Sequence, residues 1–522
     1  MNARDAEPTS ALLSEGRRTE LTSQQFHRAL LGLMLGVLLA ALDGTIVAVA
    51  LPTISGDLGH VEDTHWVITA YLMTATAATL LYGRASDVYG RKPMFLGAVG
   101  TFLAGSALCA VANSMGALAA ARAVQGLGGG GLLSIALAVI ADLVPARKRP
   151  AYQGLFGAVF GLAGVLGPLI GGLVVDHASW RWLFVVNLPL GLIVLGLVAR
   201  TLPASTRRAG AHLDPFSGLL LAAAVGFFLC WTSRGQETGY GSTGTRALVV
   251  VAALLAVSFV LVQRTSTAPV LPLRLFASRG FAAACVVAFC GGVSLFAAIL
   301  FVPLFLQLVQ DRSATVAGEM LCALTAGLLV ASVGVGRMVS RTGRHRTPPL
   351  MGTVLIAVGI GGLSRIDAGT SAGLTMLVLV VLGFGLGLVS PILVAVAQAS
   401  VPPGDLGVAT ASVSFFRNLG GTVGSAVGVA VLSHVLGERA GRTQLDPTQL
   451  RLLPDHIATL PPATRAAFTE AFADAATRVF TFALPVAVVA VVAAALIPQP
   501  PPRPQPAVAD EASPLDEDAV RS

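Results

Sequence analysis

Long apolar stretches separated by short polar segments recur along the chain. A stretch of about 17–25 apolar residues can cross a bilayer as a helix, and fourteen such stretches can be placed. They lie at 28–50, 64–83, 93–112, 116–143, 151–175, 181–202, 215–232, 245–264, 281–308, 315–339, 348–366, 371–397, 406–435 and 475–497. The pattern predicts an all-α polytopic membrane protein, although removing the seventh and eighth stretches, the weakest two, would leave twelve spans.

The composition supports this interpretation. Of the 522 residues, 54% are hydrophobic and 12% are charged, whereas about 25% of a soluble domain is charged. Mean hydropathy is +0.78. The first stretch is too long for the apolar core of a signal peptide, so we interpret it as a retained span.

The basic residues predict the orientation. With the N-terminus inside, the inner segments carry 22 Arg and Lys residues and the short outer loops carry five. The positive-inside rule then places both termini in the cytoplasm. The net charge of +7 is explained by this asymmetry and does not indicate a nucleic-acid partner.

A short loop motif occurs twice. GRASDVYGRK begins at Gly83 and GRMVSRTGRH begins at Gly336, and the two glycines are 253 residues apart. This offset predicts two homologous six-helix bundles, 28–202 and 281–497, separated by two inserted spans and a cytoplasmic linker at 203–280. In a duplicated bundle the substrate site lies between the halves near the middle of the membrane. Chance recurrence of basic glycine loops is the alternative.

The segments outside the spans are short. We expect cytoplasmic tails at 1–27 and 498–522, the second Pro-rich, acidic and disordered. Thr22 and Gln25 fit a capping box at the start of the first helix. The outer loop 437–473 is expected to include an interfacial helix leading into the last span, because phenylalanines recur there at helical spacing. These are Phe468, Phe472 and Phe480.

Two charged residues lie inside apolar spans. Asp43 in LLAALDGTIVAVALPTI costs about 2.5–3.5 kcal/mol on insertion scales. Asp43 lies about seven residues and Arg122 about six residues from the outer ends of their spans, so both are roughly 10 Å deep at 1.5 Å per residue. Opposite charges at one depth can pair. The pair is either static or rearranges to load and release a proton.

Further polar residues in the spans are candidates for a substrate cavity. Glu319 could meet a cationic substrate, carry a second proton or suit the helix N-terminus. Arg417, near the midplane with no acid on its own helix, could line the cavity, donate to backbone carbonyls or attract an anionic group. Gln125, Gln307 and Gln398 could face the same cavity, although a helix–helix hydrogen bond is the more ordinary role.

Glycines mark two structural features. In the first loop, Gly83 and Gly90 permit tight turns, and Asp87 and Arg91 are spaced to pair across one helical turn. In the fifth span, glycines spaced 3, 4, 3, 3 and 4 residues apart form one face that allows close helix packing, and Pro168 predicts a kink. The spaced glycines are Gly154, Gly157, Gly161, Gly164, Gly167 and Gly171.

These motifs together resemble a known family. GRASDVYGRKP is similar to the loop signature of the major facilitator superfamily. LDGTIVAVALP, RAVQGLGGGG, GLAGVLGPLIGG and WRWLFVVNLPLG resemble its fourteen-span drug:proton antiporter branch, as do the later segments FVPLFLQLVQDRSATVAG and DLGVATASVSFFRNLGG. The resemblance covers about 28–497 and implies the major facilitator fold, with two six-helix bundles plus two inserted helices.

The resemblance also implies residue roles. Asp43 and Arg122 would belong to the proton relay. The loop residues would form a cytoplasmic latch, made in one state and broken in the other, and weaker in the second copy, where Ser340 replaces the aspartate. The latch residues are Gly83, Asp87, Gly90 and Arg91. The antiporter motif of the fifth span would comprise Gly161, Gly167, Pro168, Gly171 and Gly172.

The expected function is proton-coupled efflux of an amphipathic small molecule by a monomer in the bacterial cytoplasmic membrane. Asp43 and Glu319 favour a cation, whereas Arg122 and Arg417 leave neutral or anionic compounds open. We expect a secondary transporter and not an enzyme, with no cofactor or metal and with the proton gradient as its energy source. The partners are then the substrate, protons and lipid. A membrane sensor or assembly partner, or a facilitator or uptake carrier, is the alternative.

Other energy sources and cofactor sites lack their motifs. Lys92 and Lys148 each follow an arginine, so no phosphate loop ending in Gly-Lys-Ser/Thr is present. The glycines at 126–131 lie inside a span without a preceding strand, which excludes a dinucleotide site. The Lys-poor, Ala/Gly/Arg-rich composition suggests a GC-rich bacterium, and self-resistance in an antibiotic producer is a hypothesis.

Overall fold

The computed structural model describes residues 22–58, 64–203, 214–238, 241–443 and 462–498. Within these ranges the chain forms fifteen α-helices, connected mostly by short segments. They are α1 Ser23–Leu58, α2 Thr64–Tyr89, α3 Arg91–Ala110, α4 Met115–Leu143, α5 Arg149–His177, α6 Trp182–Val185, α7 Asn187–Thr201, α8 Pro215–Thr238, α9 Thr243–Thr265, α10 Arg279–Leu308, α11 Ala314–Thr342, α12 Thr347–Leu363, α13 Ala372–Ala399, α14 Leu406–Thr443 and α15 Pro462–Ala495.

All fourteen predicted spans fall on helices. In the described ranges, twelve helical segments are long and apolar enough to cross a membrane. The segments Phe216–Thr232 and Thr347–Leu363 are apolar but shorter, and 17 residues extend only about 26 Å in a helix. Thr243–Thr265, one of the two weakest stretches by sequence, meets the length criterion. The number of crossings therefore stays a prediction.

The helices pack in two groups. In the first, α1 packs on α5 and α7, and α4 packs on α2 and α3. In the second, α13 packs on α11 and α12, and α10 packs on α14 and α15. The pair α8 and α9 pack on each other, and α8 also packs on α2. Of the predicted tails 1–27 and 498–522, residues 1–21 and 499–522 lie outside the described residues, and the first tail ends earlier than predicted because α1 begins at Ser23.

The two groups meet through equivalent helix pairs, α2 with α14 and α5 with α11. A Cβ atom on Gly83 of α2 would lie 2.3 Å from the Ala411 Cβ of α14. A Cβ atom on Gly336 of α11 would lie 2.4 Å from the Pro150 carbonyl oxygen of α5. The repeated loop glycines thus occupy equivalent positions at the boundary between the groups.

Several boundaries differ from the sequence prediction. The helix α1 continues to Leu58, eight residues beyond the predicted span. The predicted helix leading into the last span is present as the start of α15, which is continuous from Pro462, but its three phenylalanines are almost completely buried and do not form an exposed interfacial face. They pack into the bundle because α15 lies against α10, α12 and α14. The buried phenylalanines are Phe468, Phe472 and Phe480.

The predicted capping box is confirmed. The Thr22 amide donates to Gln25 Oε1 at 3.1 Å, and the Gln25 amide donates to Thr22 Oγ1 at 3.3 Å. These reciprocal bonds satisfy two of the four amide groups that have no partner inside a helix at its N-terminus.

Candidate functional site

The predicted contact between Asp43 and Arg122 is present. Arg122 Nη1 donates to Asp43 Oδ2, and each residue is 2% exposed. A buried charge is stable only with a partner, and removing one member of such a pair leaves the other uncompensated. The two side chains join α1 to α4.

Two amide side chains complete the coordination of the Asp43 carboxylate. Gln125 Nε2 donates to Asp43 Oδ1 at 2.8 Å, and Asn187 Nδ2 donates to the same oxygen at 3.1 Å. Ser106 Oγ accepts from Gln125 at 2.7 Å and from Asn187 at 3.2 Å. Gln125 Oε1 in turn accepts from Arg122 Nη1 at 2.7 Å. The result is a closed hydrogen-bond network.

The helix α2 holds the other side of the arginine. Arg122 Nε donates to the Val67 carbonyl oxygen at 3.3 Å, and the guanidinium carbon lies 4.2 Å from the centre of the Tyr71 ring. Five helices of the first group therefore contribute: α1, α2, α3, α4 and α7. A site built by so many helices is rigid unless the helices themselves move.

Three residues of this network, Ser106, Asn187 and Tyr71, are not among the site residues predicted from the sequence. Asn187 begins α7, directly after the break at Val186 that separates α6 from α7. It lies within the motif WRWLFVVNLPLG, so that motif was the available signal. Ser106 and Tyr71 are ordinary polar residues in apolar helices and carry no such signal.

The helix α1 extends further beyond Asp43 than the predicted span does. Asp43 lies fifteen residues before the end of α1 at Leu58, whereas the predicted span ends seven residues after Asp43. Near the end of α1, Asp57 accepts from Trp180 Nε1 and from Arg181 Nη1, each at 2.9 Å. These donors lower the pKa of Asp57.

The predicted loop at 83–92 is mostly helical, because α2 continues to Tyr89 and α3 begins at Arg91. This loop segment connects the two groups. Asp87 pairs with Arg91 at 2.7 Å and accepts from the backbone amides of Gly407 and Val408, each at 2.9 Å. Those amides begin α14, where the helix dipole favours a negative charge. We call this end of the bundle, containing Gly83, Asp87 and Arg91, the latch end, and the opposite end the far end.

Glycine is required at two positions of this segment. Gly90 has φ of 98°, in the region that L side chains rarely adopt, and α3 begins at the next residue. At Gly83 the backbone of α14 leaves no space for a side chain, because a Cβ atom would also lie 2.9 Å from the Gly407 carbonyl oxygen.

The second copy of the loop makes a different contact. Ser340 Oγ donates to the Gly336 carbonyl oxygen of its own helix. The connection between groups comes from Arg147, which donates to the carbonyl oxygens of Ser340 at 3.2 Å and Arg341 at 3.0 Å. The first copy thus places an acid, Asp87, at the N-terminus of α14, whereas the second contact places a base, Arg147, at the C-terminus of α11.

Two further polar contacts close the latch end. Gln398 Oε1 accepts from Gln153 Nε2 at 3.0 Å, and Gln398 Nε2 donates to Thr410 Oγ1 at 2.8 Å and to the Leu137 carbonyl oxygen at 3.3 Å. This contact joins α4, α5, α13 and α14 and confirms a helix–helix role for Gln398. Asp405 pairs with Arg84 and Arg274.

The glycine face of α5 packs against two different helices. Cβ atoms on Gly154, Gly157, Gly161 and Gly164 would lie 2.5, 2.2, 3.0 and 3.7 Å from the nearest atoms of α11. The contact between α5 and α11 is therefore closest at Gly154 and Gly157 and becomes looser from Gly157 toward the far end.

Closer to the far end, the same face of α5 turns to α1. A Cβ atom on Gly167 would lie 2.0 Å from Thr45 Oγ1, and one on Gly171 would lie 3.2 Å from the Ile46 carbonyl oxygen. Gly172 has no atom within 4 Å of such a position and takes no part in the packing. The side chain of Pro168 lies outside the described residues.

Glu319 lies in the second turn of α11 and is exposed. The cap of α11 is Ser313, whose Oγ accepts from the Val316 amide, so Glu319 does not cap the helix. Among the described residues Glu319 has no hydrogen bond or ion pair.

The two glutamines in the candidate set differ. Gln125 bonds across helices as described above. Gln307 Nε2 donates to the Pro303 carbonyl oxygen of its own helix at 3.2 Å, so a helix–helix bond is wrong for this residue. Its side chain folds back along one turn of α10.

Arg417 lies in the first half of α14 and is partly exposed. Its guanidinium carbon lies 6.0 Å from the centre of the Phe160 ring of α5. In the described part of the chain, no acid or hydrogen-bond acceptor contacts the guanidinium group. Inside the described spans, Asp43 and Arg122 therefore form a fully coordinated pair, whereas no described acid balances Arg417.

Two helical groups, related by a repeated motif and closed at one end, are the architecture of a membrane transporter. The chain belongs to the Major Facilitator Superfamily, whose family model matches residues 33–425. It is accordingly a multi-pass membrane protein that transports small molecules.

The chain is also similar in sequence or in structure to individual transporters. The chain is 39% identical to an uncharacterised MFS-type transporter of Mycobacterium tuberculosis strain H37Rv over 88% of this chain and 67% of that protein. It is 35% identical to the multidrug transporter protein MdtP of Bacillus subtilis strain 168, over 81% and 78% of the two chains. The solved proton:xylose symporter XylE superposes with a TM-score of 0.60 at 14% identity, over 90% and 95%, which shows the fold alone.

Proposed function

We propose that this protein exports amphipathic small molecules from a bacterial cell in exchange for protons. The observation that carries the proposal is the buried pair of Asp43 and Arg122, a switchable charge inside a transporter. The name of the Bacillus subtilis relative, a multidrug transporter, supports drug-like small molecules as the substrate class. The fourteen-span drug:proton antiporter branch, a monomeric state and cytoplasmic termini belong to the same proposal.

The closed latch end defines one step of the cycle. With cytoplasmic termini the latch end faces the cytoplasm, so this conformation opens outward. A proton arriving from outside neutralises Asp43, and Arg122 loses its partner. The bonds that hold α1 to α4 weaken, and the helices rearrange to open the latch end. On the cytoplasmic side the pair forms again, the proton leaves, and a substrate molecule enters.

The proton gradient supplies enough energy for this exchange. One charge moving through 100 mV yields about 2.3 kcal/mol, which corresponds to a substrate gradient of roughly fiftyfold. Because Asp43 is almost completely buried in the closed conformation, proton entry has to be coupled to helix movement. Such coupling prevents a proton leak.

The test is the variant Asp43→Asn, with Asp57→Asn on the same helix as the matched control. Cells that express each protein are loaded with ethidium or fluorescein, and efflux is followed before and after an uncoupler. We expect uncoupler-sensitive efflux of at least one dye by the wild type and the control. We expect none by Asp43→Asn, at equal protein abundance in the membrane. Normal efflux by Asp43→Asn, or efflux that ignores the uncoupler, would contradict the proposal.

A further inference from the structure

Arg417 lies at the middle depth of the bundle. It is eleven residues into α14, roughly 16 Å from the latch end at 1.5 Å per residue, in a hydrocarbon layer about 30 Å thick. The backbone of α14 at this point contacts α10, because a Cβ atom on Gly292 would lie 2.0 Å from the Arg417 carbonyl oxygen.

The side chain of Arg417 points to the opposite helical group. Phe160, whose ring lies 6.0 Å from the guanidinium carbon, belongs to α5, which packs chiefly on α1 and α11. The helix α14 packs chiefly on α10, α2 and α15. Arg417 and Phe160 therefore meet across the space between the groups, where the substrate site of this architecture lies.

Neither side chain is enclosed by the protein. Phe160 is 40% exposed and Arg417 is partly exposed. The contact between α5 and α11 is also looser on the far-end side of Gly157.

The charge of Arg417 is not balanced by the protein. The carboxylate of Asp43 is coordinated by Arg122, Gln125 and Asn187 and is 2% exposed. The pair of Asp43 and Arg122 is neutral as a whole. Within the described ranges no acid contacts Arg417, so the space between the groups has a positive centre, which a low-dielectric surrounding strengthens.

We propose that Arg417 binds the carboxylate of an amphipathic aromatic acid, with the aromatic part of the substrate against Phe160. The planar guanidinium group presents two parallel N–H donors, which match the two oxygens of a carboxylate. This inference rests on the proposed export function and names the class of compound that is exported. Of the cationic, neutral and anionic compounds that the sequence leaves open as substrates, this inference selects the anionic ones.

The test uses three probes of one shape: 2-naphthoate, its methyl ester and 2-naphthylmethylammonium. Binding to the purified full chain in lipid nanodiscs is measured at pH 7 without a gradient. We expect Arg417→Gln to weaken 2-naphthoate binding about tenfold or more, the usual effect of losing a charged hydrogen bond. Binding of the ester and the amine should change less than about twofold. Arg417→Lys should retain part of the affinity.

The matched control is Arg365→Gln, which removes the same charge from an exposed residue just after α12 and should leave all three affinities unchanged. An equal loss for the three probes in Arg417→Gln, or no binding of 2-naphthoate to the wild type, would overturn the inference. Thermal unfolding of each variant identifies a folding defect.

Failure of the inference and failure of the export function are distinguishable. Arg417-dependent binding of 2-naphthoate without any proton-driven efflux from cells would reject export only. Efflux that depends on Asp43, combined with probe affinities that ignore Arg417, would reject the aromatic-acid inference only.

Discussion

The two halves of the molecule treat a charge inside a membrane-spanning helix in opposite ways. In the first half, Asp43 and Arg122 are surrounded by side chains from five helices, and each has several partners. In the second half, Arg417 contacts a single aromatic ring of the opposite group, and no described acid balances it. Both halves are built from the same repeated helical plan.

This difference separates two tasks. A charge whose partners all come from the protein is held until a proton changes it, so it suits energy coupling. A charge with no partner in the protein is available to a solute, so it suits recognition. The two halves share a repeated loop motif and equivalent helix contacts, and the placement of a few charged residues makes them unequal.

The largest expected effect is on the free energy of unfolding, which should respond differently to substitution of Arg122 and of Arg417. Arg122→Gln leaves the Asp43 carboxylate buried without its cation, and we expect a loss of about 3–5 kcal/mol in the free energy of unfolding. Arg417→Gln breaks no pair and should change it by less than about 1 kcal/mol. Thermal unfolding of the purified proteins in detergent measures both. The double variant Asp43→Asn/Arg122→Gln should recover part of the loss, and equal losses in the two single variants would refute the distinction.

A smaller effect is expected at the latch end, where the halves also differ. Asp87→Asn weakens two bonds from an ionised carboxylate to backbone amides of α14, each worth about 1.5–3 kcal/mol, and should favour opening. Ser340→Ala removes only a bond within one helix and should have little effect. The buried Ser332, at the contact of α11 with α5, is a suitable reporter as Ser332→Cys in a cysteine-free background.

Thiol labelling of that reporter should accelerate about tenfold or more in Asp87→Asn, since 1.4 kcal/mol corresponds to a factor of ten. Ser340→Ala should change the rate less than about twofold. If the two substitutions have the same effect, the two loops are equivalent and the latch is not specific to the first copy.

The smallest effect concerns the packing beside the ion pair. Gly167→Ala places a methyl group 2.0 Å from Thr45 Oγ1, two residues after Asp43, and we expect overpacking to cost about 1–3 kcal/mol. Gly172→Ala meets open space and should change the free energy of unfolding by less than about 0.5 kcal/mol. Thermal unfolding compares the two. If Gly167→Ala leaves the free energy of unfolding unchanged, α1 and α5 can separate at this position without a loss of stability.

Much of the fold could be predicted because long apolar stretches mark the segments that lie within the membrane. The helical segments, the repeated loop and the capping box of Thr22 and Gln25 are local patterns. The contact of Asp43 with Arg122 could also be predicted, because counting residues from the ends of the spans placed both at a similar depth. The surroundings of the α15 phenylalanines could not be predicted, since helical periodicity alone does not distinguish a side chain at the bilayer interface from one that packs on a neighbouring helix.

The sequence by itself determined which residues lie within the apolar layer, how deep they lie and what charge they carry, because length and hydropathy measure position along a helix axis. The tertiary structure alone decided which helices are neighbours and which way each side chain points around its axis. Those choices depend on close approach at glycines and on hydrogen bonds between helices distant in sequence. They place Asn187 and Ser106 beside Asp43 and leave Arg417 facing Phe160 across the space between the halves.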